Sequence, residues 1–349
     1  MNAPDLFRKM KVPTDGGLAL RLKTLTPLYT GGIGQEGDQV HPSNLLGGVR
    51  HFSCLVARTL GETGFESKVW GGAGQGGIKA EGKQVALHWD LSRLKAIRLP
   101  GEIKVPKKGG ESSRWWFNTA FEGELDLALT RRGISDLHWQ ILQYALAIQV
   151  RHATFGAKDQ FGLGVLGWRE QSFVPAPLDT LADWPQGVVD ESKGQLNLLR
   201  YGFFKLGLST APGQRQTQNK GAELTLGLTV RSALRNALRG EDNATDAEKE
   251  RLKALRHRML GKLNQFGSAT NVSAAYPATG GGLEVRIAVA LKPEDSPVRT
   301  EIMTRFSSAL KGADYSQLGY RLPQVSNEFG GAHLGKQKKV TWLNKLAGV

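Results

Sequence analysis

The chain has 349 residues and carries 46 Lys and Arg against 32 Asp and Glu, a formal net charge of +14. With 40% hydrophobic and 22% charged residues it is excluded from the globally disordered class, and its length is that of about two domains. Glycine is high at 44 residues without a Gly-X-Y period, which excludes collagen and leaves loops whose backbone comes close to a partner.

In chain order, the segment LALRLKTLT alternates Leu18, Leu20 and Leu22 with Arg21 and Lys23, the pattern of a half-buried strand. After a Gly-containing loop, Ser43 is the expected cap of a helix ending near Leu60. Its residues Leu45, Leu46, Val49, Phe52, Val56 and Leu60 recur at helical spacing. Residues 78–90, 96–106 and 114–130 read as extended segments. Ser135 is the expected cap of a second helix reaching about Arg151, and a Gly-rich loop over 155–168 leads into a last strand. Strand, helix, strands, helix, strand is the split β-α-β plan of a ferredoxin-like domain with an inserted hairpin. Both helices then cover one sheet face and leave the other open to a ligand.

Residues 174–195 contain Pro175, Pro177 and Pro185 and read as a linker. They separate a first domain, 1–173, from a second, 196–349. The second restarts with a strand over 198–209. Helices are expected over 223–239 and 244–262, a strand over 283–291, and a further helix opening at Ser296-Pro297. The plan of the first half is loosely repeated, giving an α+β chain. The last 35 residues, Gly-rich and basic, carry no clear element pattern.

Cys54 is the only cysteine, so an internal disulfide and a Cys-based metal site are excluded, and a reducing compartment is the natural expectation. The first residues contain no apolar run of signal-peptide length, and no stretch approaches the ~18 apolar residues of a membrane span. The expectation is a soluble cytoplasmic protein. The excess of basic charge is present in both halves, 22 basic against 16 acidic residues over 1–170 and 24 against 16 over 171–349. Nucleic acid is the partner such a surface favours, with a merely basic surface as the plain alternative.

Gly72-Gly74-Gly77 and Gly162-Gly164-Gly167 match G-x-G-x-x-G, but strands rather than helices follow, so a dinucleotide fold is not expected. Arg50, Cys54 and Arg58 form one stripe on the first helix, beside Gly47 and Gly48. Arg231, Arg235 and Arg239 form another, and such stripes suit phosphates, although a solvated charged face reads the same way. No pair among the seven histidines has metal-ligand helix spacing. His51 and His152, next to Arg50 and Arg151, are the best-placed candidates for an acid or base, and a structural or phosphate-contacting role is the favoured reading of both. Tyr201-Gly202-Phe203-Phe204 resembles an RNA-stacking strand but is off-register, and a core strand is the simpler reading.

The stretches LKTLTPLYTGG (22–32), HPSNLLGGVRHF (41–52) and FGAKDQFGLGVLGW (155–168), followed by GSATNVSAAYP (267–277) and LEVRIAV (283–289), occur in an order that resembles the RAMP superfamily of CRISPR effector proteins. Within it they resemble most nearly the subunit-one family of the Cmr, or type III-B, complex. The resemblance spans about 20–330. It implies two tandem ferredoxin-like RAMP domains and a non-catalytic RNA-binding subunit at the end of the complex, acting in antiviral defence. That subunit would hold the 3′ region of the crRNA and help capture target RNA. Its partners would be other Cmr subunits, especially those of the backbone and the neighbouring end, without membrane, cofactor or metal. The RNA-binding residues it implies, together with the stripes and loops above, are Gly31, Gly32, Arg50, Arg58, Arg151, His152, Lys158, Gln160, Phe161, Gly162, Gly164, Arg231, Arg235, Ser268, Asn271 and Ser273. One alternative is a RAMP endoribonuclease that processes CRISPR precursor RNA with a histidine. Another is a scaffold that binds only protein.

Overall fold

A computed structural model describes residues 17–31, 39–62, 64–72, 81–99, 102–107, 110–115, 119–156, 162–170, 172–178, 196–210, 220–240, 243–261, 268–279, 281–316, 319–330 and 336–349. The first half comprises β1 (Gly17–Thr24), α1 (Pro42–Leu60), α2 (Phe65–Trp70), β2 (Val85–Asp90), β3 (Leu94–Arg98), β4 (Glu102–Lys107), β5 (Gly110–Trp115), β6 (Thr119–Arg131), α3 (Asp136–His152) and β7 (Leu166–Trp168). Its sheet has the order β2-β6-β1-β7, with β3 pairing the other end of the long β6. Every pairing in it is antiparallel. That is the ferredoxin-like strand order, and the extra hairpin is made by β4 and β5 rather than by 78–90 pairing with 96–106, since β2 and β3 both pair β6.

The second half comprises β8 (Tyr201–Thr210), α4 (Lys220–Ala237), α5 (Asp246–Leu260), β9 (Thr270–Val272), β10 (Tyr276–Pro277), β11 (Leu283–Ala290), α6 (Arg299–Gly312), β12 (Tyr320–Phe329) and α7 (Lys336–Ala347). Its antiparallel sheet runs β10-β11-β8-β12, with β9 also on β11. The order is again ferredoxin-like, the second strand being broken into β9 and β10. The chain is therefore α+β with two tandem domains of one plan.

Local chemistry explains most boundaries. Ser135 caps α3 by accepting a hydrogen bond from His138 N–H at 3.2 Å, and Thr245 caps α5 through Glu248 N–H at 3.3 Å. Two expected starts differ. Helix α1 begins one residue before Ser43, with His41 as the flanking residue and Pro42 in the first turn, a position that needs no N–H donor. Ser296-Pro297 falls inside a 3-10 turn, Pro293–Val298, and α6 begins only at Arg299.

In β1, Leu20 and Leu22 are buried beneath α1 and α3 while Arg21 and Lys23 point outward. The outward face carries paired charges: Arg21 with Glu170 at 3.1 Å, Arg93 with Asp126 at 2.6 Å and Arg169 with Glu124 at 2.8 Å. The second sheet departs from the expected open face. Phe204, Leu206 and Leu208 face α4–α6, whereas Tyr201, Phe203 and Ala288 join the core built from α1, α3 and α7. Aromatic and apolar residues on both faces of β8 leave neither face to solvent. The Tyr201–Phe204 strand is a core strand.

The halves thus stack as sheet, helices, sheet, helices. Helix α7, in the stretch without a clear pattern, returns to the first half. Asn344 Oδ1 accepts from Tyr144 Oη at 2.6 Å, and Trp342, Leu343 and Leu346 are buried against α3. The described part of the expected linker also docks there: Leu178 is fully buried, and its N–H donates to Tyr144 Oη at 3.1 Å. The remainder, 179–195, lies outside the described residues.

Candidate nucleic-acid interface

The two halves enclose a cavity of about 200 Å³, lined by residues of α1, the end of α3 and the second sheet. Gly48, His51 and Phe52 come from α1; Gln149 and His152 from α3; Ala153, Thr154 and Gly156 from the turn after it; Tyr201, Asn271, Ser273, Arg286 and Ala288 from the second half. At ~30 Å³ per water in the liquid, the space holds roughly six or seven waters. It is smaller than the ~300 Å³ of a site for a drug-sized ligand.

Gly48 creates part of this space, because a Cβ there would stand 3.0 Å from Gln149 Nε2. Gln149 is 1% exposed, and its Nε2 donates to Thr154 O at 3.1 Å. Its Oε1 is buried and accepts no hydrogen bond. Such an acceptor costs about 1–3 kcal/mol. The walls beside it are aromatic: Phe52 and Tyr201 ring centroids are 6.3 Å apart, and His152 and Phe203 are 5.1 Å apart.

His152 is held through Nε2, which lies 3.0 Å from the carbonyl oxygen of Leu346. A carbonyl accepts only, so Nε2 carries the proton and Nδ1 is a lone-pair acceptor. Burial, reinforced by Lys205, pushes the imidazole down to about 3. A neutral ring of that kind cannot serve as a general acid near pH 7. His51 is exposed, and partial burial and the nearby Arg58 lower its pKa too. Arg286, 9% exposed, crosses the junction from β11. It donates to Val150 O at 2.5 Å, to Leu166 O at 3.3 Å and to Tyr276 Oη at 2.5 Å.

The structure brings His152, Asn271 and Ser273 together on this cavity and distributes the other expected residues around it. Gly31, at φ +105°, sits beside Asn44 at the start of α1. Arg50 and Arg58 share one carboxylate, Glu66, at 2.8 and 3.6 Å. Arg151 is half-buried against Gly348. Arg231 is tied to Leu260 O at 2.8 Å, Thr270 O at 3.1 Å and Ser268 Oγ at 3.1 Å, so it and Ser268 hold α4 to the loop before β9. Arg235 is half-buried on the same helix. Gly32, Lys158, Gln160 and Phe161 lie outside the described residues.

Gly162 and Gly164 provide close approach, but to protein backbone. A Cβ at Gly162 would stand 2.2 Å from Ala274 N, and one at Gly164 1.9 Å from Phe155 O. Both have positive φ, +89° and +84°. Ser273 is 1% exposed, and its Oγ accepts from Arg286 N–H at 2.8 Å.

Sequence reasoning missed Gln149, Thr154 and Arg286 as cavity residues, and read Tyr201 as part of a core strand. Two of them left a trace: Gln149 interrupts the apolar run of α3, and Arg286 stands inside the apolar strand LEVRIAV. Among the described residues, no group of three or more His, Cys, Asp or Glu side chains is placed to hold a metal ion. No described helix is long and apolar enough to cross a membrane.

No protein-family model matches the chain, and no curated protein matches it. Among solved structures it is similar to the apo form of Cmr1 from Pyrococcus furiosus, with a TM-score of 0.44 and 13% sequence identity over 90% of this chain and 98% of that one.

Proposed function

We propose that this chain is a non-catalytic RNA-binding subunit of a type III-B CRISPR (Cmr) effector complex, holding the 3′ region of the crRNA and helping to capture target RNA. The observation that carries the RNA reading is the cavity at the junction of two ferredoxin-like halves. It combines the aromatic rings of Phe52 and Tyr201 with the polar side chains of Gln149 and Asn271 and the guanidinium of Arg286. Aromatic surfaces with a few fixed polar groups and flanking cations are what single-stranded RNA needs: stacking, base-edge contacts and charge neutralisation. The order of the RAMP-like motifs supplies the effector assignment.

The histidine endoribonuclease reading gains nothing from the geometry, since His152 is buried, neutral and committed to Leu346 O. The test is recovery of the tagged chain from its native host, with mass spectrometry of bound protein and sequencing of bound RNA. Other Cmr subunits and a small CRISPR RNA are the expected companions. A chain recovered alone and free of RNA overturns the reading. Incubation of the pure protein with CRISPR repeat RNA in EDTA is expected to leave the RNA intact. Site-specific cutting abolished by changing His51 would restore the endoribonuclease.

A further inference from the structure

Behind the cavity, three cations converge where α3 meets the second sheet. Lys205 on β8 and Arg286 on β11 are direct cross-strand partners on the face that meets the first half. Like charges so placed repel. Arg151, in the last turn of α3, brings its guanidinium against Gly348 just beyond α7. Its Nε is buried and unpartnered. Burial holds both Lys205 and Arg151 below their ordinary pKa ranges, and Arg286 pushes both the same way.

The two carboxylates nearby are already engaged. Glu284 accepts from Tyr276 Oη and lies 3.5 Å from Arg286 Nε, while Glu328 pairs with Lys345 at 2.9 Å. Neither Lys205 nor Arg151 forms an ion pair among the described residues. Three cations share carboxylates that are also committed elsewhere, Glu284 to Tyr276 and Glu328 to Lys345; the excess of buried positive charge destabilises a fold, and a bound anion lowers that cost. Arg286 already gives Nε and Nη1 to Tyr276, Val150 and Leu166, so it contributes chiefly charge, while Lys205 and Arg151, on two separate elements, have donors to offer the oxygens of a phosphate group.

We infer that Arg151, Lys205 and Arg286 form a binding site for a phosphate group, set beside the inter-domain cavity. The site stands on the clustering itself. An RNA backbone phosphate as its occupant rests on the RNA-binding reading.

The experiment uses the full chain. Melting curves are recorded in sodium phosphate and in sodium chloride at matched ionic strength and pH, for wild type, Lys205→Gln and Arg151→Gln. RNA affinity is then measured across a salt series. Phosphate is expected to raise the wild-type melting temperature saturably above the chloride curve. Lys205→Gln is expected to melt no lower than wild type in chloride and to lose the phosphate response; a purely structural lysine would lower the chloride curve instead. The slope of log K against log salt is expected to flatten by about 0.7 in each variant. A wild-type response equal in phosphate and chloride, or one that survives both substitutions, overturns the site. A phosphate response lost in the variants with an unchanged RNA slope assigns the site to free phosphate. Wild-type protein that binds phosphate and no RNA leaves the site standing and overturns the RNA reading.

Discussion

The carbonyl oxygen of Gly162 accepts a hydrogen bond of 3.0 Å from the backbone N–H of Ala274. This contact stitches the Gly-rich loop of the first half to the strand region of the second, at the rim of the cavity that Ser273 lines. The glycine is required there twice over, by its φ of +89° and by the 2.2 Å that would separate a Cβ from Ala274 N.

Gly162→Val is therefore expected to destabilise the protein by at least the ~1–3 kcal/mol of a residue forced into a sparsely populated backbone region. Gly47→Ala is the contrasting substitution. Gly47 lies within α1 with nothing within 4 Å of its would-be side chain, so alanine is expected to raise stability by up to ~1 kcal/mol. Denaturant titration of the two variants checks both signs.

Gln149→Leu removes the orphaned acceptor and keeps the apolar bulk of the side chain. Folded stability is expected to hold or rise, because an unsatisfied buried group is replaced by an apolar one. RNA affinity is expected to fall about tenfold, equivalent to ~1.4 kcal/mol. Filter binding beside a melting curve separates the two effects, and a stable variant with wild-type affinity would remove Gln149 from the site.

Acid sensitivity follows from His152. Its folded pKa of about 3 lies below the ordinary 6.5, so the unfolded chain binds the extra proton first. Stability is thus full above pH 6.5 and falls as pH drops toward 3, by up to ~1.4 kcal/mol per unit. Urea unfolding between pH 6.5 and 5, above the main carboxylate range, is expected to show this slope. His152→Phe should flatten it, while losing the hydrogen bond to Leu346 O.

Arg50 is 47% exposed in its ion pair with Glu66, and such surface pairs contribute about 0–1 kcal/mol. Arg50→Ala is expected to leave the melting temperature nearly unchanged. If Arg50 meets an RNA phosphate, the same variant flattens the salt dependence of binding by about 0.7. A sharp loss of stability with unchanged RNA affinity would make Arg50 structural.

Cys54 is buried, and its thiol is raised to about 11, chiefly by burial. The thiolate is the reactive form, so iodoacetamide at pH 8 is expected to leave the folded protein unlabelled and to label it fully in denaturant.

Much of the fold was legible because it depends on local pattern. The alternation of Leu20 and Leu22 with Arg21 and Lys23 placed β1, and the spacing from Leu45 to Leu60 placed α1. Ser135 marked the start of α3 correctly. The sites of contact between the halves were not legible in the same way. Residues such as Gly48, Gln149, Asn271 and Arg286 are far apart in sequence, and only tertiary packing gives them a common cavity. The Arg231–Arg235 stripe looked like a phosphate-facing surface because spacing shows which residues share a helix face. It does not show that Leu260 O and Thr270 O occupy the Arg231 guanidinium.

Tyr144 and Asn344 meet across 200 residues of chain. During synthesis at ~5–20 residues per second, α3 leaves the ribosome roughly 10–40 s before the helix that covers it. For that interval the part of α3 that meets Trp342, Leu343 and Leu346 is uncovered, although its other side already packs on α1 and the first sheet. Translation that stops before α7 should therefore yield a chain that chaperones retain or proteases remove, even though both sheets are fully encoded. The helix Lys336–Ala347 is thus a seal on the junction: a chain that carries both sheets and lacks it leaves Tyr144 without Asn344.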